Sequence, residues 1–221
     1  MKVLAIAPHP DDEILGIGGS LAKHIADGDE VYVCIVTKGI MPLFDKNYVE
    51  NLREETLVAH QLLGVTRTFF FDFPAVMLED IHRYEMNEQF LKIVQETEPD
   101  IVYMPHFGDM QKDHQIVAES AMVAIRPKYA NRIKKVYAYE TLSETEWNNP
   151  HCTNAFIPNV YQDITAYLDK KIEVMKCYHS QLLDFPNPRS LEAIEALAKY
   201  RGSIVNVYAA EAFSLVREIK S

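Results

Sequence analysis

The residues most able to do chemistry stand together in the run Pro8-His9-Pro10-Asp11-Asp12-Glu13. His9 offers an imidazole nitrogen and Asp12 a carboxylate three positions later, a spacing that can aim both at one face. Both could therefore reach a single divalent ion. Two ligands are not a site, but a third is available downstream in Asp113-His114. Two histidines and one carboxylate with open positions form the ligand set of catalytic zinc, and also of nonheme iron. Asp11 is then a spare carboxylate, offset by one residue from the ligands. It would lie beside the ion, where it could take a proton from water that the ion has made acidic. Taken alone, the acidic pair could simply favour the positive end of a helix dipole. Gly16, Gly18 and Gly19 follow closely, but a dinucleotide-binding fingerprint needs its glycines in the turn after the strand. That turn holds His-Pro-Asp-Asp, so the glycines instead permit close packing of the helix that follows.

Such residues need elements that deliver them to one edge. Residues 2–7 are a short apolar run bounded by Pro8 and Pro10, which predicts a buried strand. From 13 to 26, Ile14, Leu15, Ile17, Leu21, Ala22 and Ile25 recur at helical spacing until Asp27-Gly28-Asp29 stops them. Residues 30–37 form a second buried strand, and strand, helix, strand in this order implies a crossover and a parallel sheet. Helices at 49–63, 84–96 and 113–125 then alternate with strands at 67–71, 100–104 and 134–139. The expected fold class is α/β, with helices on both faces of the sheet. The metal-ligand candidates then follow the first strand and the 100–104 strand, at the carboxyl edge where such sheets build sites. Residues 38–48 are a candidate substrate loop. Residues 140–158 are polar and cover one end of the sheet. Residues 164–178 and 190–200 read as helical, while 205–219 are ambiguous. Without a linker or repeat, 1–221 reads as one domain.

Composition narrows the function. The chain has 221 residues, 48% hydrophobic and 24% charged, so it is neither disordered nor fibrous. A net charge of -10 argues against nucleic acid as a partner. No apolar run approaches the roughly 20 residues of a membrane span, and the N-terminus lacks a signal-peptide core. Three cysteines without CxxC spacing give neither a disulfide framework nor a thiolate zinc site, so a cytoplasmic location is expected.

These residues resemble the PIG-L/LmbE family of zinc-dependent N-deacetylases. The matching pieces are APHPDDEILGIGGSLAKH at 7–24, the helix end at 54–65, GDMQKDH at 108–114, HSQ at 179–181 and AEAF at 210–213. The resemblance spans essentially the whole chain, and its first and third blocks are the most specific. It implies a Rossmann-like, mostly parallel sheet. It also implies Zn2+ as cofactor, an amino-sugar substrate (a small molecule or a glycoconjugate) and a homo-oligomer. Carried over by position, His9, Asp12 and His114 are the zinc ligands and Asp11 the general base. The implied reaction removes acetyl from an N-acetylglucosamine-type sugar in glycan or glycoconjugate biosynthesis. An N-acetylglucosaminyl conjugate of a low-molecular-weight thiol pathway is the nearest alternative substrate. A noncatalytic sugar- or nucleotide-binding module is the alternative of a different class.

Three positions depart from the family pattern. Where the family commonly has a histidine that stabilises the oxyanion or acts as acid, this chain has Gln111, which donates a hydrogen bond but carries no proton. His106 is a candidate substitute. The family's Pro-Asp-Gly-like sugar-binding segment corresponds to Pro74-Ala75-Val76, without a carboxylate, and the usual arginine before the paired acids is displaced by one, to Arg53. Arg53 and Trp147 are candidate substrate contacts, and Asp109 and Asp113 could orient site groups from behind. His24 reads as a surface residue and His60 as one without a role. Arg189, Lys199 and Arg201 are expected in surface ion pairs with Glu192 and Glu195.

Overall fold

A computed structural model describes residues 1–130, 132–149 and 151–220. Its centre is a seven-stranded sheet of order β3-β2-β1-β4-β5-β7-β6, built from β1 (Lys2–Ala7), β2 (Glu30–Lys38), β3 (Arg67–Pro74), β4 (Ile101–Pro105), β5 (Lys135–Tyr139), β6 (Val160–Asp163) and β7 (Ala210–Glu218). Strands β1 to β5 run parallel, while β7 pairs antiparallel with both β5 and β6. The α/β class and the mostly parallel sheet agree with the sequence reading. Two strands escape it. β6 has only four residues, and β7 occupies the ambiguous 205–219 stretch, where an exposed second half blurs the apolar pattern.

Alternation along the strands sends side chains to two cores. Val3, Ala5 and Ala7 join Val31, Val33 and Ile35 on one face. There they pack under α1 (Asp12–Ala26), α2 (Lys46–Leu63), α5 (Leu168–Met175) and α6 (Leu191–Ile204). Leu4, Ile6, Cys34 and Val36 turn to the other face, under α3 (Arg83–Thr97) and α4 (Lys112–Ala124). The strand read at 67–71 is an edge strand, β3, and none of its residues is fully buried. Its aromatic run packs at the rim of both cores, Phe70 against one and Phe69, Phe71 and Phe73 against the other, with Arg53 and Arg67 lying over Phe70 and Phe69. The 164–178 helix shortens to Leu168–Met175.

Helix α1 lies unusually close to the sheet. A Cβ at Gly16 would stand 2.3 Å from the Tyr139 ring, and one at Gly19 would stand 2.7 Å from Ile164. The glycines thus serve close packing, as the sequence suggests. A buried ion pair pins the same helix: Lys171 Nζ donates to Glu211 at 2.6 Å and to the Leu15 carbonyl at 2.8 Å. Glu211 in turn accepts the backbone N–H groups of Gly19 and Ser20.

Candidate metal centre and active site

From β1 the chain crosses to β2 on one side, while β4 pairs with β1 on the other, so the strand order reverses between β1 and β4. A crevice opens beyond the carboxyl ends of strands at such a point. Pro8 to Asp12 leaves β1 there, and Asp109 to His114 leaves β4 there. Two segments far apart in the chain are therefore brought together by topology alone.

Asp11 begins the turn in a left-handed conformation, φ 100°, which aspartate tolerates better than most residues. Its carbonyl accepts the N–H groups of Ile14 and Leu15, but its side chain caps nothing. Asp12 folds back instead, accepting the His9 N–H at 2.8 Å. His9, Asp12 and His114 come together with candidate ligand atoms within 4.8 Å of one another, the one such group among the described residues.

The donor set fits a divalent ion. Nδ1 of His9 and Nε2 of His114 lie 3.3 and 3.2 Å from Asp12 Oδ2. For ligands about 2.1 Å from a tetrahedral zinc, neighbouring donors stand about 3.4 Å apart. Asp12 Oδ1 and His114 Nε2 are both buried without a hydrogen-bond partner, a costly arrangement that a cation would relieve. The outer nitrogen of each imidazole is held from behind, His9 Nε2 by Asp113 at 3.1 Å and His114 Nδ1 by Asp109 at 2.8 Å. Asp113 is fixed by the Val76 N–H and Asp109 by the Thr145 hydroxyl. Such outer carboxylates orient ligand histidines and select their tautomer.

The electrostatics agree. Burial opposes charge on both histidines, yet Asp113 and Asp12 raise the His9 pKa, and Asp12 with Asp109 raises that of His114 well above its usual value. Burial would raise Asp12 too, but His114 and His9 hold it below the usual carboxylate range. Positive charge is favoured here, and a metal ion would compete with protons for it. Asp11 differs. Burial, aided by Asp12 and Glu13, pushes it up to about 8, against the opposing pull of Arg189 and His9.

His9 and Gln111 border a cavity of about 210 Å³. An apolar wall is formed by Phe44, Tyr48, Val49, Leu52 and Phe70, and the Arg53–Asp72 ion pair (2.8 Å) also lines the cavity. Lys38, Gly39, Phe44 and Tyr48 all reach the cavity, so the 38–48 segment does line it. Asp72, two positions before Pro74, does place a carboxylate on the cavity wall.

Some candidates stand elsewhere. His106 does not line the cavity. Its Nε2 donates to the Asn154 carbonyl at 2.9 Å and its ring packs against Phe107 and Phe156. Trp147 is 53% exposed and also lies outside the cavity wall. His24 is not a free surface residue, because Asp29 and the Tyr103 hydroxyl bracket its ring. His60 is buried and joins Tyr178 on Glu13, at 3.1 and 2.5 Å, beneath the Asp11 turn. Lys199 does pair with Glu195, but Arg201 pairs with Glu140 and Arg189 with Asp11. Arg189, expected in a surface ion pair, instead reaches the cavity and is a group that sequence reasoning misplaces.

Known proteins are similar to this chain in sequence and fold. Residues 4–125 match the family PIG-L, described as GlcNAc-PI de-N-acetylase. A diacetylchitobiose deacetylase of Thermococcus kodakarensis is 24% identical over 192 residues, covering 81% of this chain and 70% of that one. The uncharacterized deacetylase YaiS of Escherichia coli K12 is 28% identical over 185 residues, covering 80% and 90%. Among solved structures, the conserved protein TT1542 of Thermus thermophilus superposes with a TM-score of 0.80 at 25% identity, covering 99% of this chain and 96% of that one.

Proposed function

The chain belongs to the PIG-L family of GlcNAc-PI de-N-acetylases, and from that premise we propose that it is a metal-dependent amide hydrolase. Its reaction removes the acetyl group from an N-acetylglucosamine-type sugar, releasing acetate and a free amine. The observation that carries this reading is a buried carboxylate, Asp11, placed beside the His9, Asp12 and His114 trio but outside it. A structural metal site has no use for an acid so placed.

His9, Asp12 and His114 would hold the ion, and zinc suits two imidazoles with one carboxylate. When bound, such an ion supplies Lewis acidity, polarising an amide carbonyl and lowering the pKa of water. The positive charge of an ion held by the trio would favour the ionised form of Asp11, whose Oδ1, buried and unpartnered, could then take the proton of an attacking water. The amine must be protonated to leave, and the same carboxyl group can return that proton. Gln111, on the cavity wall, donates an amide N–H toward the carbonyl oxygen but cannot replace Asp11 as acid. The Arg53–Asp72 pair offers both donors and acceptors to sugar hydroxyls, and the apolar wall faces the less polar side of the substrate. The described residues act as one domain in this reading, since β6 and β7 join the same sheet as β1.

A screen of acetylated amino sugars, free, nucleotide-linked and lipid-linked, tests the proposal by acetate release with and without chelator. Metal-dependent release from at least one is expected. Tight sugar binding with no release by the metal-loaded protein would favour a noncatalytic module instead.

A further inference from the structure

Arg189 lines the cavity, yet it lies 178 positions from the residue it touches and outside every block that carries the family resemblance. We infer that Arg189 is a positioning residue that fixes the orientation of the Asp11 carboxylate. The inference rests on the reading of Asp11 as the base.

Little else holds the Asp11 side chain. Its backbone is left-handed and its side chain makes no capping bond, so the helix does not orient the carboxylate. Among the described residues, Arg189 Nη1, at 2.8 Å from Oδ2, is its hydrogen-bond donor, and Oδ1 has none. Fixing one oxygen of a planar carboxylate leaves the other a defined position. Removing that contact leaves rotation about the Cα–Cβ and Cβ–Cγ bonds restrained by packing alone.

Arg189 can do this because its own direction is fixed. Asn187 accepts its backbone N–H at 2.9 Å, and the next residue, Ser190, caps α6. The guanidinium is then gripped on two further sides. Nε donates to the Ser143 hydroxyl at 2.9 Å and Nη1 to Gln181 at 3.2 Å, while Nη2 stands 4.0 Å from Glu144. A guanidinium is a planar fork whose donors point in set directions, and an ammonium is not. With Nε and both Nη1 directions committed to protein groups, Arg189 is arranged to hold the base rather than to greet the substrate.

The test compares R189A and R189K with the wild-type enzyme, loaded with zinc. R189A should lose about 100-fold in kcat, the usual consequence of misplacing a reacting group by roughly an ångström. KM and bound zinc per chain should stay near wild type, because neither the ligand trio nor the apolar wall is touched. Millimolar guanidinium should restore part of the lost kcat, and R189K, with charge but no fork, should remain well below wild type. A raised KM with kcat preserved would overturn the inference in favour of direct substrate binding. Loss of zinc in both variants would overturn it in favour of a structural role. If the wild-type enzyme releases no acetate from any sugar tested, the proposed function has failed, and a crystal structure of R189A still decides the point. The Asp11 carboxylate should turn away from its position here, and an unmoved carboxylate refutes the inference.

Discussion

Replacing Asp11 with asparagine separates base chemistry from metal binding and from folding. Asparagine has the same shape and tolerates the same left-handed backbone, so the turn at φ 100° should survive. Its side-chain oxygen can still accept from Arg189, as Asp11 does at 2.8 Å. Metal content should not change, because the candidate ligands are His9, Asp12 and His114 rather than Asp11. What disappears is the ability to accept a proton. General-base groups contribute about 10²–10⁴ to rate, which at about 1.36 kcal/mol per tenfold is roughly 3–5 kcal/mol of barrier. Stability should respond in the other direction. Burial raises the folded-state pKa of Asp11 from 3.8 to about 8, so the folded metal-free protein binds a proton there that the unfolded chain has released. Stability from that group is full below the unfolded value and is lost as pH rises toward the folded one. The variant carries no such loss, so metal-free D11N should gain on metal-free wild type as pH climbs through that window. Acetate release, metal per chain by atomic emission and thermal melts across pH check the three statements. A D11N enzyme with kcat within tenfold of wild type, metal bound, would refute the assignment of Asp11.

The other expectations concern the ligands, the oxyanion donor and the fold. His114→Ala should abolish metal retention, and in wild type retention should weaken as pH falls, because protons compete for histidines whose pKa values are raised. Competition against a chelator should show affinity dropping about tenfold per pH unit for each proton displaced, and a flat profile would count against both histidines as ligands. Gln111→Ala removes a donor on the cavity wall and should cost about 10²–10³ in kcat with metal content intact. Lys171→Met leaves Glu211 buried without its cation and should destabilise the fold by about 3 kcal/mol in denaturant titration, without altering metal binding.

How much of this is legible in the sequence follows from the range over which each signal acts. The parallel strands and helices are readable because apolar periodicity is local, and because Gly64 and Gly28 stop their helices within the window being read. The candidate ligand trio is readable because turns after two strands carry histidine beside or near aspartate, and the α/β topology puts such turns on one edge. β6 is too short to show a period, and β3 shows an aromatic run whose half-exposed edge position no local pattern distinguishes from a core strand. His106 misleads for a related reason. Following a strand end puts a residue at the correct edge, but the side chain turns away to the Asn154 carbonyl, and that turn depends on a loop 48 positions later.

Arg189 marks the limit most sharply. Glu192, three positions on, has the spacing of a local ion pair, yet the structure sends Arg189 to Asp11. An exposed pair is worth about 1 kcal/mol or less, whereas a buried carboxylate without a partner costs several. Once the first turn commits Asp11 to a buried position, the largest electrostatic gain available to any nearby cation lies there. The pairing is therefore decided by burial at the far end of the chain, and burial is a property of the fold. A site of this kind can be anticipated from its ligands, but the groups that hold its base can be found only by asking which buried charge still needs an answer.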